Sequence, residues 1–189
     1  MRLKADLVLA AALALPFWSN TLQAATPPTA GSFSVEAKGG EDQLGASSMT
    51  VFANAVSQAF EAHDFVDLGD PGHAAYAVEF TVSREDVGTG RAKGLTGGAT
   101  AQGGAPNAVG VGVRIPFGTG ASTVVPLQRT RLEIRLHKRG DDSILWQGAA
   151  VTVRGAGTRK GTDEAVATDL SEALLRFYPN PPPEAIGVP

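Results

Sequence analysis

The sequence contains no cysteine, and this absence excludes several kinds of site at once. Without a thiol there is no disulfide, no cysteine nucleophile, no Cys-ligated metal centre and no cysteine to carry a lipid. No apolar run approaches the roughly 20 residues that a membrane-spanning helix needs. Basic residues are not in excess, since 16 Lys and Arg stand against 19 Asp and Glu, which argues against a nucleic-acid-binding protein.

The first 24 residues have the three parts of a secretory signal peptide. Arg2 and Lys4 supply positive charge, the run Leu7–Leu15 is wholly apolar, and small residues follow at Ala24 and Ala25. We therefore expect cleavage after Ala24 or Ala25, two sites that the sequence does not separate. A retained anchor is the weaker alternative, because the apolar run is about half the length of a spanning helix.

Cleavage would leave a chain of ordinary size for one domain. An exported chain without disulfides favours the bacterial periplasm over a eukaryotic secretion route. The predicted organisation is a signal peptide over 1–24, a leader over 25–31, a single domain over 32–178 with a mobile glycine-rich insert at 88–120, and a proline-rich disordered tail over 179–189.

Apolar residues alternate with polar ones along several segments, as in half-buried β-strands. In two others they recur every three or four residues, as on one face of a helix. Ser47 or Ser48 and Thr162 stand at the starts of the helical segments and are predicted to cap them. The predicted strands are 32–37, 76–82, 131–137 and 144–153, with a further candidate at 109–115, and the predicted helices are 47–63 and 163–178. This order predicts an α+β domain, in which an antiparallel or mixed sheet of about four to five strands carries two helices on one face.

The other sheet face is predicted to be polar, because Arg131, Glu133 and Arg135 alternate with apolar residues. That face is either solvated or a docking surface. His137 follows in the same phase and is expected to stay solvated. Trp146 is expected to pack beneath a helix, with its indole N–H bonded to a partner.

One group of residues has the composition of a metal site: His63, Asp64, Asp67, Asp70 and His73. Imidazole and carboxylate groups bind zinc and other divalent ions. A metal-dependent or hydrolytic enzyme that uses His63, Asp64 and His73 is therefore the alternative function. The residues lack a fixed ligand spacing, however, and Asp and Gly are typical of turns. No metal ligand or catalytic residue is assigned on this basis.

The stretch 88–94 contains glycines and Lys93, a composition that suits a phosphate cradle. It matches neither the P-loop nor the dinucleotide-binding spacing, so a flexible loop is favoured and no cofactor is predicted. No G-x-S-x-G nucleophile elbow accompanies the histidines. A membrane contact by 109–117 is a further hypothesis, and pairing of an edge strand is the simpler interpretation of that segment.

Several short motifs, in this order, resemble a known family. They are Phe33 in the first strand, His63-Asp64-Phe65 at a helix end, Ala75-Tyr76-Ala77-Val78, a glycine-rich insert, Arg131-Leu132-Glu133-Ile134, Ile144-Leu145-Trp146-Gln147-Gly148 and Phe177-Tyr178-Pro179. The chain is similar over about residues 32–183 to a family of small bacterial envelope lipoproteins of unknown function. In that family a strand with a Leu-x-Trp-x-Gly motif follows a turn, and the last helix ends in a Phe-Pro-like stop. Members typically carry a lipid-bearing cysteine after the signal, and its absence here favours a free periplasmic protein.

These observations predict a non-enzymatic exported envelope protein, a periplasmic binding or scaffold module. The predicted location is the periplasm or the medium. Association with the outer membrane is a further hypothesis. The expected partner is another envelope protein or envelope component, with no nucleic acid and no transmembrane segment after cleavage. Binding is expected at the polar sheet face or at the glycine-rich loop 88–107, since loops on a rigid frame commonly carry function. The sequence leaves the oligomeric state open.

Overall fold

The computed structural model of the chain describes residues 26–40, 44–93, 122–141 and 143–189. The strands in these ranges are β1 Gly31–Ala37, β2 Phe65–Asp67, β3 Tyr76–Lys93, β4 Ser122–Lys138, β5 Ile144–Gly155 and β6 Ile186–Val188. The helices are α1 Ala46–Glu61 and α2 Asp163–Leu175, with a 3₁₀ turn at Arg159–Gly161. The strands form one sheet in the order β2-β1-β3-β4-β5-β6. The predicted α+β class is confirmed.

The sheet is mixed in direction. Strands β3, β4 and β5 are antiparallel neighbours, whereas β1 runs parallel to both β2 and β3, and β6 runs parallel to β5. The sheet has more strands than predicted because β2 and β6 are three residues each. A segment that short cannot display the alternation by which strands are recognised in a sequence.

Helices α1 and α2 cover one face of the sheet, and the core lies between them and three long strands. Cross-strand rows of apolar residues line this face, each taking one residue from β3, β4 and β5. The rows are Val78–Leu136–Trp146, Phe80–Ile134–Gly148 and Val82–Leu132–Ala150. Every member of these rows is buried. The period-two pattern that predicted the strands therefore also identified the core.

One member of these rows is Gly148, and α2 packs so close to it that little room is left for a side chain. A Cβ at this position would stand 3.0 Å from Leu174 Cδ2 and 3.1 Å from Trp146 Cη2. Contacts that tight require a neighbour to move, so a glycine two residues after the tryptophan lets the helix and the indole pack together. This explains the Trp-x-Gly part of the strand motif in packing terms.

Several boundaries correct the sequence-based predictions. The tail 179–189 is not wholly disordered, since Ile186–Val188 pairs with β5 and Val188 O accepts a hydrogen bond from Thr152 Oγ1 at 2.8 Å. The insert does not begin at Gly88, because β3 continues past a register shift between Asp86 and Gly88. The strand expected at 109–115 lies outside the described residues.

Tyr178, which follows the end of α2, binds the segment that comes after the predicted signal peptide. The helix ends at Leu175, three residues earlier than expected. Tyr178 then donates its hydroxyl to the carbonyl oxygen of Pro28. Burial, with a contribution from Tyr76, raises the pKa of Tyr178 to about 12. The phenol therefore remains a neutral donor throughout the physiological range.

A polar cluster joins both helix N-termini to the sheet. Thr162 caps α2 as predicted, accepting from Ala165 N at 3.3 Å, whereas among the described residues no side chain caps α1. Ser48 instead donates to the Asp163 carboxylate, which also accepts from Arg84 Nη2 at 2.7 Å. Partial burial would raise the pKa of Asp163, but the hydrogen bonds from Ser48 and Arg84 outweigh it and hold the pKa below its usual value.

Replacement of Asp163 by asparagine is expected to lower the free energy of unfolding by roughly 1–3 kcal/mol near pH 7, because hydrogen bonds to a charged group are lost. A carboxyl whose pKa is depressed in the fold stabilises it above the unfolded pKa, and this contribution disappears as pH falls through the folded pKa. The difference between wild type and variant should therefore shrink as the pH falls below about 4. Urea unfolding at several pH values measures it.

The neighbouring Glu164→Gln variant is the control for this experiment. Glu164 is exposed in the same first turn of α2, so its loss changes the charge near the helix end without breaking the cluster. A difference for Asp163→Asn that is constant between pH 3 and 7, or no larger than that for Glu164→Gln, would contradict the assignment.

Candidate functional site

Among the described residues no helix lies on the second sheet face, and we call its outward-facing positions on β1, β3, β4 and β5 the open face. On β4 these positions alternate with the core residues, as the sequence predicted. Cross-strand pairing sets Glu79 beside Arg135, Ser83 beside Arg131, and Glu85 beside Arg129. The outward residues of β5 are Gln147, Ala149, Val151 and Val153. The open face is thus charged on its central strands and more apolar along β5.

Two acidic side chains lie side by side near the end of the β1–β3 ladder, and we call Glu36 and Glu79 the acidic corner. Lys38 Nζ lies 3.1 Å from Glu36 Oε2 and 3.2 Å from Glu79 Oε1. Hydrogen bonds to these two glutamates raise the pKa of Lys38 above its ordinary value. Partial burial raises the pKa of Glu79, but Lys38 and His137 outweigh it, so the net shift is downward. One lysine thereby contacts two carboxylates.

His137 does not stay solvated as predicted. Its side chain is only 15% exposed, and its Nε2 lies 3.0 Å from Glu79 Oε2. The pair is an ion pair only when the imidazole is protonated. Sequence reasoning missed Glu79 as the partner because the contact joins two strands that are far apart in the chain.

Two arginines lie on the open face in the middle of β4, and we call Arg129 and Arg131 the arginine corner. Arg129 Nη1 contacts Glu85 Oε1 at 2.5 Å. Arg131 Nη2 lies 3.5 Å from Glu133 Oε2. Glu133 is bound more closely by Arg135, whose Nη2 and Nε lie 2.6 and 3.1 Å from Oε1. Two arginines therefore share one glutamate, and Arg131 has the longer contact.

Two shallow depressions flank Arg131 on the open face. One, of about 350 Å³, is lined by Ser83, Arg84, Glu85, Arg129, Arg131 and Val151. The other, of about 230 Å³, lies where the strand residues Arg131, Glu133 and 147–149 meet the tail residues 182–185. The tail that leads into β6 thus forms a wall beside the open face. Such a surface can receive the side chains of a partner, with arginine as an ionic anchor.

The structure does not gather the five residues proposed for metal binding into one cluster. Asp67 accepts from Ser57 Oγ at 2.6 Å and from a backbone N–H of the turn, and Asp70 contacts His73 Nδ1 at 2.6 Å. The ring of His63 lies against Tyr178, with centroids 5.9 Å apart. In the ranges that the structure describes, no three His, Asp or Glu side chains converge in a way that could hold a metal ion. The turn chemistry of Asp67 and Asp70 accounts for their presence.

The structure also places the glycine-rich stretch that suggested a phosphate cradle and the tryptophan of the strand motif. Gly88–Lys93 belongs to β3, so this part of the glycine-rich stretch is strand backbone and not a loop. Trp146 is buried as predicted, at 1% exposure, and its ring lies 5.6 Å from that of Tyr178. The predicted hydrogen bond of its indole N–H is wrong, since Nε1 has no partner among the described atoms.

Comparison with known proteins identifies no family for the chain. No protein-family model matches the sequence, and no curated protein matches it. A solved structure of a PelC variant dodecamer from Paraburkholderia phytofirmans is similar at 17% identity, covering 79% of this chain and 89% of that chain, with a TM-score of 0.39. Similarity at this level carries no argument about assembly or function. In the described part of the chain no helix has the length and apolar character to cross a membrane.

Proposed function

We propose that the protein is a non-enzymatic, exported envelope protein that acts by binding another envelope protein or envelope component through the open face. The observation that carries this proposal is the packing of α1 and α2 on one face, so that neither helix covers the charged and apolar side chains of four strands on the other face. Charged residues with an adjacent apolar strip are what a polar protein–protein interface is made of. The signal-like N-terminal segment supports a location outside the cytoplasm.

The alternative, a metal-dependent or hydrolytic enzyme at His63, Asp64 and His73, is less well supported. His63 lies against Tyr178 and His73 contacts Asp70, whereas a catalytic constellation requires that nucleophile, base and orienting group converge on one pocket.

The full-length chain expressed in a bacterium is expected to reach the periplasm with its signal peptide removed. Mass spectrometry of the periplasmic fraction should detect a chain that begins at Ala25 or Thr26. A substitution of charged residues into the apolar run Leu7–Leu15 is the control, because it destroys the feature on which export depends. Intact wild-type chain in the cytosolic fraction would contradict the export part of the proposal.

A photo-crosslinking residue at Val151 should give a specific crosslinked product in the native host, because this position lies on the open face directly beside Arg131. The same residue at Glu172 is the matched control, since that exposed position lies on α2. Adding Arg131→Glu to the Val151 variant should abolish the product, because a carboxylate on the partner would then face a like charge. Equal crosslinking from Val151 and Glu172, or none from Val151, would overturn the assignment of the open face.

A further inference from the structure

The outer edge of β1 is paired over only part of its length. Strand β2 pairs with the first three residues of β1, Gly31–Phe33, whereas β3 pairs with Phe33–Ala37 on the opposite side. Among the described residues no strand lies beside the second half of β1 on the β2 side. The sheet therefore has a gap at its edge, and we call the free edge of residues 34–37 the β1 notch.

Backbone hydrogen bonds show which groups of β1 point into the notch. Lys38 N donates to a carbonyl oxygen of β3 at 2.8 Å, so the even-numbered residues direct their N–H and C=O groups at β3. Phe33 O accepts from Leu68 N at 3.0 Å, so the odd-numbered residues direct theirs to the β2 side. The backbone groups of Val35 and Ala37 therefore point into the notch, and no backbone group of the described residues bonds to them there.

Free backbone groups at a sheet edge are a template for a further strand. The groups of Val35 and Ala37 are two residues apart, which is about 6.6 Å along the strand. An extended main chain presents its own N–H and C=O groups at the same interval, so it can bond to both residues. A helix satisfies most of its backbone groups internally and cannot do so. The notch therefore selects an extended peptide segment.

A cavity of about 360 Å³ lies beside the notch, between β1 and α1. Val35 lines it on the sheet side, and Ala53 and Ser57 line it on the helix side. Every second side chain of an added strand would point to the side on which Val35 lies. Because Ala53 and Ser57 are small, the cavity has room for such a side chain.

The same cavity has an acidic end. Glu61 and Asp67 both line it, and no Lys or Arg is among its described lining residues. Glu61 is in the last turn of α1, which contains no basic residue. A cation is favoured at the negative end of a helix dipole, and Glu61 adds to the negative charge there. A lysine or arginine on the bound segment would supply the missing positive charge.

We infer that the β1 notch binds an extended peptide segment of a partner protein as an additional strand, with a lysine or arginine of that segment directed at Glu61 and Asp67. Main-chain hydrogen bonds would supply affinity, and the acidic end of the cavity would supply selectivity. The site lies at the edge of the sheet and on its helix side. The inference therefore goes beyond the proposed function, which concerns the open face, and does not depend on it.

A peptide titration followed by NMR tests the inference on the purified mature chain. The probe is a capped peptide of alternating threonine and valine with a lysine at each end, and the control peptide has glutamate in place of lysine. The lysine peptide should slow amide hydrogen exchange at Val35 and Ala37, whose N–H groups are free without it. Exchange at Glu36 should be slow with and without peptide, because its N–H group faces β3. This alternation distinguishes an added strand from contact by side chains alone.

Ala37→Pro removes one donor from the notch and should weaken binding of the lysine peptide by about tenfold. Proline is tolerated on an edge strand where its missing N–H faced outward, so the variant should keep its fold, as circular dichroism can verify. A second measurement leaves the protein unchanged. Methylation of the peptide amides that face β1 should abolish binding, whereas methylation of the alternate amides should not.

Glu61→Lys tests the acidic end of the cavity. It should weaken binding of the lysine peptide by about two- to fivefold, which corresponds to the loss of an exposed ion pair. Glu172→Lys is the matched control, because it makes the same charge change at an exposed position on α2. This control variant should bind the peptide as wild type does.

Three results would overturn the inference. They are a lysine peptide that binds no better than the glutamate peptide, binding that both Ala37→Pro and amide methylation leave unchanged, and slow exchange at Val35 and Ala37 in the chain without peptide. Slow exchange that develops only as the protein concentration rises would show that a second copy occupies the notch, which also excludes a partner's segment. The crosslink from Val151 tests the open face separately.

Discussion

Replacement of Trp146 by alanine is expected to lower the free energy of unfolding by about 3–5 kcal/mol, the range for loss of a large buried aromatic side chain. The indole is buried between the sheet and α2, beside Tyr178 and under Leu174. No small movement can fill the cavity, because the row neighbours Val78 and Leu136 are fixed in strands. Urea unfolding followed by circular dichroism measures the loss.

Trp146→Phe is the control, and it should be much less destabilising. Phenylalanine retains most of the apolar ring and removes an N–H that has no hydrogen-bond partner in the described part of the chain. An unpartnered buried donor is itself unfavourable, so its removal offsets some of the lost packing. If alanine and phenylalanine have equal effects, or if alanine costs less than about 1 kcal/mol, the indole does not occupy the core position described above.

Replacement of Phe60 by alanine should also destabilise the fold by about 3–5 kcal/mol. Phe60 is fully buried at the end of α1, with ring centroids 5.5 Å from both Phe33 and Phe65 and 6.3 Å from Tyr178. These rings connect α1 to β1, β2 and the end of α2. The cavity would therefore loosen one end of the domain as well as lower its stability.

Phe177→Ala is the matched control for Phe60, because its side chain is 46% exposed. An exposed aromatic loses little transfer free energy when truncated, so the expected change is within about 0.5 kcal/mol. Amide hydrogen exchange gives a second measurement: the N–H groups of β2 should exchange faster in the Phe60 variant than in the Phe177 variant. Equal stability losses would show that the aromatic cluster does not hold this end of the domain together.

The parts of the fold that the sequence predicted are those with a strong local pattern. Val78, Phe80 and Val82 alternate on β3, and the same period marks β4 and β5, so the central strands and their buried face were recognisable. Strand β2 was not, because Phe65–Asp67 lies among the Asp and Gly residues of a turn and is only three residues long. Strand β6 follows a run of prolines, which is typical of disorder in a tail.

Long-range contacts limited the prediction of the site. The charged face of β4 was evident from Arg131, Glu133 and Arg135, whose alternation needs no other strand. Which acids lie beside them depends on the register of β3 against β4. This register brings Glu79 to His137, a histidine that was expected to be solvated and is instead partly buried. Ser48 illustrates the same limit, since its partner Asp163 is 115 residues away and no local rule distinguishes that contact from a helix cap.

The β3–β4 pair offers a place where the protein can be extended. Its ladder continues as far as the pairing of Lys93 with Ser122, so the two ends that border residues 94–121 stand one strand spacing apart, about 4.7–4.9 Å. The free energy of closing a flexible connection grows only slowly with its length. A reporter domain with adjacent termini, inserted at this point, would leave the aromatic cluster, the helices and the charged face in place. The protein could then be followed in living cells without a fusion at either terminus.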